Sequence, residues 1–246
     1  MSKSTHGQGA VRLPAEMANE DKKRAAAEAA LELVRDGMTL GLGTGSTARW
    51  FVAGVGERVA SGRLRDLACV PTSKATAEQA TAAGLRLVEL PAAGVDLAVD
   101  GMDELAPSLD AIKGLGGALL REKIVAAAAA TFVLVGDDTK LVSRLGEKAL
   151  VPVEVVPFGM RRTVEVLAGL CDEVEPRTEG SDLFVTDNGN HVVDCRPRPG
   201  FDAEELQAEL KSVAGVVEHG LFLGMADIAF VAGENGVGRY GRGERA

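Results

Sequence analysis

The sequence is poor in aromatic residues and in cysteine, and each shortage removes a class of protein. Phe, Trp and Tyr make up 4% of the 246 residues, whereas hydrophobic residues as a whole reach 46%. A core of mainly Ala, Val and Leu is typical of a compact α/β domain rather than of a β-sandwich. The three cysteines, Cys69, Cys171 and Cys195, lie far apart and form no Cys-x-x-Cys pair. Their spacing argues against a disulfide framework and a structural zinc site.

Long apolar runs and a basic surface are also missing. The longest apolar stretch, residues 124–135, includes Thr131 and is too short to cross a bilayer. The N-terminal segment has no apolar core of signal-peptide length. With 36 acidic and 27 basic residues, the net charge is -9, which argues against a general nucleic-acid binder. We therefore expect a cytoplasmic protein with no membrane and no nucleic-acid partner.

What the sequence does contain is a regular alternation of short apolar runs and helical patterns. Strands are predicted at residues 38–42, 67–70, 85–90, 95–99 and 131–137, with helical segments between most of them. Strands that alternate with helices indicate βαβ units. We expect an α/β fold with a mostly parallel, Rossmann-like sheet flanked by helices.

The two ends of the chain differ from this pattern. Residues 1–18 are polar and contain glycine, so they are predicted to be disordered. Asn19 or Asp21 then caps the first helix. The tail from Gly236 is rich in glycine and arginine and is predicted to be frayed.

The sequence also predicts a second, smaller domain. After Gly146 the pattern changes to short strands and two helices, with a tight Asn-Gly turn inside VTDNGNHVVD. Residues 150–215 are therefore interpreted as a small α+β domain. The main α/β catalytic domain takes residues 19–149 plus 216–246, with a strand at 225–233 rejoining the first sheet.

The stretch GLGTGSTA follows one predicted strand and opens a helix. Its backbone N–H groups and the hydroxyls of Thr44, Ser46 and Thr47 indicate a site for phosphate or carboxylate. It lacks the lysine of a P-loop, and Ser46 stands where a dinucleotide loop needs its third glycine. A tight strand-to-helix turn with a Ser or Thr cap is the alternative.

A second stretch, VDGMDELAPSLDAIKGLGGALLREKIVA, brings four charged groups to the same edge of the sheet. Asp100 and Asp103 follow a strand, Lys113 lies in a glycine loop and Glu122 is one turn into a helix. Singly, each fits a solvated turn or helix surface. Because ligands of open α/β sheets bind at the carboxyl ends of the strands, the combination predicts a catalytic site.

These groups suit proton transfer next to a carbonyl. A carboxylate removes the proton, an ammonium or backbone donor stabilises the enediolate oxygen, and the anion loop holds the substrate. A metal-assisted hydride shift is the competing route. The histidines (His6, His191 and His219) lie outside the cluster, and two aspartates alone make a poor divalent site. We expect no metal and no cofactor, with magnesium as the alternative.

The same motifs resemble ribose-5-phosphate isomerase of type A. Besides the two stretches above, FVLVGDDTKLVSRLGE, PVEVVPF, VTDNGNHVVD and GVVEHGLFLGMADIAFVAGENGV carry the likeness, which runs from Lys22 to Val237. The resemblance implies a fold of the isomerase/CoA-transferase superfamily type. It also implies metal-independent interconversion of D-ribose 5-phosphate and D-ribulose 5-phosphate in the pentose phosphate pathway, by a homodimer or a dimer of dimers.

The resemblance further implies a role for each charged group. Glu122 would move the proton between C1 and C2, Asp100 would assist ring opening and Lys113 would stabilise the enediolate. Asp103 would hold sugar hydroxyls. The implied substrate contacts are Thr44, Gly45, Ser46, Thr47, Asp100, Gly101, Met102, Asp103, Lys113, Gly114, Leu115, Gly116 and Lys140.

Some positions depart from the pattern of that family. Leu115 interrupts a glycine run, Met102 replaces a common alanine and Leu120 a frequent threonine. A side chain at 115 is expected to narrow the cleft or to alter the loop backbone. Lys22 or Lys23 is implied as a further phosphate contact.

Three other functions remain alternatives for this architecture. The sugar-phosphate sensing domain of DeoR-type regulators needs a DNA-reading segment upstream, and we count only about 20 residues before the first predicted helix. Coenzyme A transferases need covalent acyl-enzyme chemistry, which gives the two aspartates no task. Glucosamine-phosphate deaminase is a relative by fold, and fold alone does not decide function.

Overall fold

The computed structural model of the protein describes residues 14–242. Its helices are α1 (Pro14–Leu31), α2 (Ala48–Ala60), α3 (Lys74–Ala82), α4 (Leu119–Ala127), α5 (Met160–Leu167) and α6 (Ala203–Ser212), with a 3₁₀ helix at Asp138–Lys140. Its strands are β1 (Thr39–Leu42), β2 (Ala68–Pro71), β3 (Leu97–Gly101), β4 (Glu104–Leu105), β5 (Ala111–Ile112), β6 (Phe132–Asp137), β7 (Val151–Val155), β8 (Glu173–Pro176), β9 (Thr178–Glu179), β10 (Asp182–Leu183), β11 (His191–Arg196), β12 (Val216–His219), β13 (Leu221–Phe222), β14 (Ile228–Gly233) and β15 (Gly236–Gly241).

The largest sheet confirms the predicted mostly parallel α/β architecture. Its six strands run in the order β15-β14-β6-β3-β1-β2, and every neighbouring pair is parallel except β14 with β15. The strand at 225–233 joins this sheet beside β6, as predicted. Strands β1 and β3 are neighbours near its centre, so the loops that follow them meet at one edge.

Helix spacing explains how one face of this sheet is covered. In α1 the buried residues Ala26, Ala27, Ala30 and Leu31 recur at the spacing of a single helix face. That face packs in one core with Phe51 of α2 and with the buried side of the sheet. The small alanines allow α1 to lie close to its neighbours.

Besides the two-stranded sheet of β9 and β10, two smaller sheets complete the described chain. One has the order β12-β7-β11-β8 and is antiparallel throughout, and it shares a second core with α5 and α6. The other has the order β13-β5-β4. Strand β12 pairs with β7, so the four-stranded sheet continues past the boundary expected at residue 215. The division into two domains stays a prediction.

Three details of the sequence interpretation were wrong. Residues 85–90 form a single bridge between Leu87 and Cys69 rather than a strand, because the next donor on β2 would be Pro71, which has no N–H. The tail from Gly236 forms the edge strand β15, since β14 offers it a full antiparallel partner. Helix α1 begins at Pro14, before the predicted cap at Asn19 or Asp21. The rest of the predicted disordered segment, residues 1–13, lies outside the described residues.

Candidate functional site

The glycine loop after β1 lies directly against the end of β3. A side chain at Gly43 would place its Cβ 2.2 Å from Asp100 Oδ1, so only glycine permits this approach. The next residue, Thr44, donates its backbone N–H to the same Oδ1 at 3.0 Å. Thr47 precedes α2 without a side-chain capping bond, contrary to the capped-turn alternative. The loop is therefore shaped around the Asp100 carboxylate.

A cluster of hydroxyl groups supports this loop from below. Thr44 Oγ1 lies 2.7 Å from Thr72 Oγ1, 2.9 Å from Ser73 Oγ and 3.1 Å from Thr76 Oγ1. Thr76 also donates its hydroxyl to the Gly43 carbonyl at 3.0 Å. The sequence interpretation missed these residues. The signal was the run TSKAT directly after a strand, in which Ser73 caps α3 by accepting from the backbone of Thr76.

Asp100, Lys113 and Glu122 meet in the interior. The Lys113 ammonium lies 3.0 Å from Asp100 Oδ2 and 3.2 Å from Glu122 Oε2, and all three side chains are 2–3% exposed. It also donates to the Gly101 carbonyl at 2.7 Å. Strand β3 supplies Asp100, α4 supplies Glu122, and Lys113 follows β5. Residues separated by 22 positions thus share one buried ion cluster.

The electrostatics of this cluster favour a carboxyl that can carry a proton near neutral pH. Burial raises the pKa of Glu122 to about 8, Asp100 adds to the rise and Lys113 opposes it. Burial also raises the pKa of Asp100 against the pull of Lys113. For Lys113 itself burial disfavours the charge, but Asp100 and Glu122 outweigh it and raise its pKa above the ordinary value. The ammonium remains charged while Glu122 titrates.

Asp103 lies beside the cluster and holds the second glycine loop. Its Oδ2 accepts the backbone N–H of Leu115 at 3.0 Å. The loop needs glycine at 114 and 117, where φ is +97° and +78°. The Leu115 side chain is 45% exposed and stands outside the lining of the cavity described below, so it does not narrow the cleft.

A cavity of about 80 Å³ opens over this cluster. Of the predicted site residues, Asp100 and Leu115 stand outside the lining of this cavity, and all the others line it. Lys22 and Lys23 are engaged elsewhere, in ion pairs with Asp138 at 2.9 Å and Glu20 at 3.0 Å. The lining residues are Thr44, Gly45, Ser46, Thr47, Gly101, Met102, Asp103, Lys113, Gly114, Gly116, Glu122 and Lys140.

The turn before β11 of the four-stranded sheet anchors helix α4. The sequence predicted this turn only as part of a hairpin. Arg121, next to Glu122, donates to Asn188 Oδ1 at 2.8 Å and to the Asp187 carbonyl at 3.1 Å. The buried Glu154 carboxylate orders this turn by accepting from Asn188 at 3.1 Å and from Asn190 at 2.8 Å. The turn therefore fixes the helix that carries Glu122.

The arrangement can perform proton transfer with charge stabilisation. Glu122 can take or give a proton, and the Lys113 ammonium beside it can stabilise an oxygen that becomes negative. Within residues 14–242 no group of three His, Cys, Asp or Glu side chains is placed to hold a metal ion. Among the same residues no helix is both long and apolar enough to span a membrane.

Comparisons with known proteins agree with this geometry. The family described as Ribose 5-phosphate isomerase A (phosphoriboisomerase A) matches residues 68–236. Ribose-5-phosphate isomerase A of Deinococcus radiodurans is 45% identical over 218 residues, covering 89% of this chain and 96% of the relative. The Roseiflexus castenholzii protein of the same name is 50% identical over 217 residues, covering 87% and 93%.

Solved structures show the same likeness in three dimensions. A D-ribose-5-phosphate isomerase in complex with phospho-erythronic acid has a TM-score of 0.88 at 37% identity and covers 91% of this chain and 99% of its own. The Plasmodium falciparum ribose 5-phosphate isomerase has a TM-score of 0.87 at 34% identity and covers 92% and 100%. The chain thus belongs to the ribose 5-phosphate isomerase A family and interconverts ribose 5-phosphate and ribulose 5-phosphate.

Proposed function

We propose that Glu122 is the base that moves the proton between C1 and C2 of the open-chain sugar. The observation that carries this proposal is its carboxylate, which is buried at the cavity wall 3.2 Å from the Lys113 ammonium. With a pKa of about 8, this carboxyl can accept a proton from carbon and return it. The raised pKa makes this carboxylate a stronger base than an ordinary one.

Lys113 stabilises the enediolate oxygen in this proposal. Its ammonium keeps its charge because two carboxylates lie within 3.2 Å, and it is buried, so its field is little screened. Asp100 directs that ammonium and assists opening of the furanose ring. Asp103 holds sugar hydroxyls and fixes the loop through Leu115.

The sugar phosphate binds to the two glycine loops. Thr44, Gly45, Ser46 and Thr47 line the cavity and offer it backbone N–H groups and the hydroxyls of Ser46 and Thr47, and Lys140 adds a cation. A relative was solved with phospho-erythronic acid. We expect the same compound to compete with ribose 5-phosphate here.

Isomerisation in deuterium oxide tests the proton-transfer route. Purified protein is given ribose 5-phosphate, and the ketose is followed by proton NMR. Deuterium at C1 of the ribulose 5-phosphate is the expected result, because a carboxyl exchanges its proton with solvent between the two transfers. Full retention of the C2 hydrogen as a hydride would contradict the assignment of Glu122.

Removal of metal ions should leave the rate unchanged. The ammonium of Lys113 already lies between the Asp100 and Glu122 carboxylates, where a divalent ion would otherwise bind. The measurement is kcat before and after dialysis against EDTA. Loss of activity that added magnesium restores would favour the hydride-shift mechanism instead.

The chain is further proposed to act in the cytoplasm as a homodimer or a dimer of dimers. All three cysteines are free thiols, which is typical of a reducing compartment. We place the contact with a second copy at Phe158, which is 94% exposed. Light scattering on wild type and on Phe158→Ser tests the assembly. A monomer in both samples would contradict it.

A further inference from the structure

We propose that Arg177, on the four-stranded-sheet side of the cleft, is a positioning residue for the glycine loop 113–118 and thereby for catalysis. This proposal rests on the function proposed for Lys113 and on the place of the loop in the cavity wall. Arg177 reaches across from the segment between β8 and β9 and contacts the loop backbone. Its position in the sequence, 62 residues beyond Leu115, gave no indication of this contact.

The guanidinium contacts two consecutive carbonyls of the loop. Arg177 Nη1 donates to the Leu115 carbonyl at 2.8 Å and to the Gly114 carbonyl at 3.3 Å. A charged donor to a backbone carbonyl is stronger than a neutral one. These bonds fix the orientation of the Gly114–Leu115 and Leu115–Gly116 peptide groups, which follow Lys113.

Asp194 on β11 holds the guanidinium from the other side. Arg177 Nε donates to Asp194 Oδ2 at 2.8 Å, and Nη2 donates to Oδ1, so the pair is bidentate. Both side chains are only 14–16% exposed. A fork held at two points on a strand gives Nη1 a defined direction toward the loop.

Phe184 fills the space between the guanidinium and the far end of the loop. Arg177 Cζ lies 5.7 Å from the centre of the Phe184 ring. A Cβ on Gly117 would lie 2.3 Å from the same ring, so the loop backbone passes directly over it. Arg177 and Phe184 thus support the loop at both ends.

The loop requires such support because it has few bonds of its own. Its positive φ values at Gly114 and Gly117 are held by one turn, in which Gly117 N–H donates to the Gly114 carbonyl at 2.9 Å. The exposed Leu115 side chain adds little packing. The peptide group between Gly114 and Leu115 accepts a bond from Arg177 at its carbonyl and donates its N–H to Asp103. Loss of Arg177 would therefore disturb Lys113 and Asp103 together.

Replacement of Arg177 tests the proposal. We expect R177A to lower kcat by about 10- to 100-fold with a smaller rise in KM, because misplaced catalytic groups slow the chemical step. Added methylguanidinium should restore part of kcat, and R177K should be intermediate, since an ammonium lacks the fork that bonds Asp194 and the loop together. D194N keeps Arg177 but weakens the bidentate bond that holds its guanidinium, so kcat should fall as in R177A but by less.

Arg196 provides a matched control on β11. It forms a similar arginine–carboxylate bond, to Glu173 at 2.8 Å, but this pair is 44% and 64% exposed and lies among groups outside the loop. We expect R196A to keep wild-type kcat and KM. Thermal unfolding of all variants shows whether each is folded.

The outcomes separate this inference from the proposed function. If Lys113→Met keeps the wild-type kcat, the function proposed for Lys113 fails, whatever the result for Arg177. If the wild type is active and both R177A and D194N keep its kcat and KM, or if R196A loses as much activity as R177A, the positioning role is overturned. Lower thermal stability of R177A with unchanged kinetics, or a loss that methylguanidinium leaves unaltered, would also overturn it.

Discussion

Two buried lysines lie over the ring of Phe222, and they differ in what surrounds them. Lys113 Nζ is 5.3 Å from the ring centre and Lys123 Nζ is 4.9 Å from it. Lys113 faces the cavity with Asp100 and Glu122. Lys123 lies outside the cavity lining, 2.9 Å from Glu218 and 2.6 Å from the His219 carbonyl.

The pKa values of these two ammonium groups shift in opposite directions. Burial lowers the pKa of Lys123 to about 8, and its single carboxylate partner, Glu218, does not compensate. The positive charge of Lys211, which shares Glu218, lowers it further. At Lys113, which is buried more deeply, two carboxylates outweigh the burial effect and raise the pKa. The number of nearby carboxylates, rather than depth, decides whether a buried lysine stays charged.

The comparison separates a catalytic cluster from a structural one. In the first, burial, with the charge of Asp100 added, raises the pKa of Glu122 to about 8 although Lys113 opposes the rise. In the second, Glu218 is paired with two lysines and its pKa falls to about 2, although burial opposes this. A permanently ionised carboxylate can anchor a chain, but it cannot exchange a proton at neutral pH.

Glu122→Gln should have the largest effect on activity. The amide cannot accept a proton from carbon, so kcat should fall by roughly 10²–10⁴-fold or more while KM changes little. The same substitution in the other cluster, Glu218→Gln, should lower thermal stability and leave kcat near its wild-type value. Equal losses of kcat in the two variants would remove the distinction between the clusters.

Lys113→Met should have the next largest effect. Removal of one donor to the developing oxyanion costs roughly 3–4 kcal/mol in comparable sites, or a fall in kcat of about 10²–10³-fold. Lys123→Met removes an ammonium from the same ring and should keep kcat. Steady-state kinetics with ribose 5-phosphate give kcat and KM for both variants, and circular dichroism shows whether both fold. A pure KM effect in Lys113→Met would make this lysine a binding residue.

Asp100→Asn should shift the pH profile of kcat. It should not abolish activity, because Glu122 remains as the base. In wild type, kcat should rise with pH through about 8 as Glu122 loses its proton. The charge of Asp100 contributes to that raised pKa, so its removal should shift the rising limb to lower pH. The position of the limb, not the height of the plateau, is the measurement. An unchanged limb would mean that Glu122 does not titrate beside Asp100.

His219→Asn should show the smallest effect, confined to stability at acid pH. Burial, with help from the charge of Lys123 and against Glu218, lowers the pKa of His219 to about 3. Between about pH 3 and 6.5 the unfolded chain therefore binds a proton that the folded chain does not, and stability falls as the pH falls. The urea midpoint of the variant should vary less over this range than that of wild type. Parallel curves would place the imidazole in a less buried setting.

Much of the site was readable from local patterns. GLGTGSTA and VDGMDE lie at the ends of two neighbouring strands of the parallel sheet, and such strand ends meet at one edge. The glycine loop before REKI follows β5 of the antiparallel three-stranded sheet instead. Lys140 was expected from resemblance alone, and it does line the cavity. The roles of these residues in the reaction remain predictions.

The parts that were missed depend on partners distant in sequence. The tail became β15 because β14 offered it an antiparallel ladder. The Thr72, Ser73 and Thr76 hydroxyls became a support for the glycine loop only because α3 packs beside α2. No periodicity or motif records such contacts, since each residue looks ordinary in its own segment.

By itself the sequence predicted the βαβ alternation, the two glycine loops and the charged residues that lie beside them. Short-range propensity and hydrophobic period suffice for that, because they act between neighbours in the chain. Only the tertiary structure decided that Lys113 keeps its charge while Lys123 is pushed toward losing it, and that Arg177 reaches the loop. The physical reason is that burial and electric fields are sums over all nearby groups, most of which are remote in sequence.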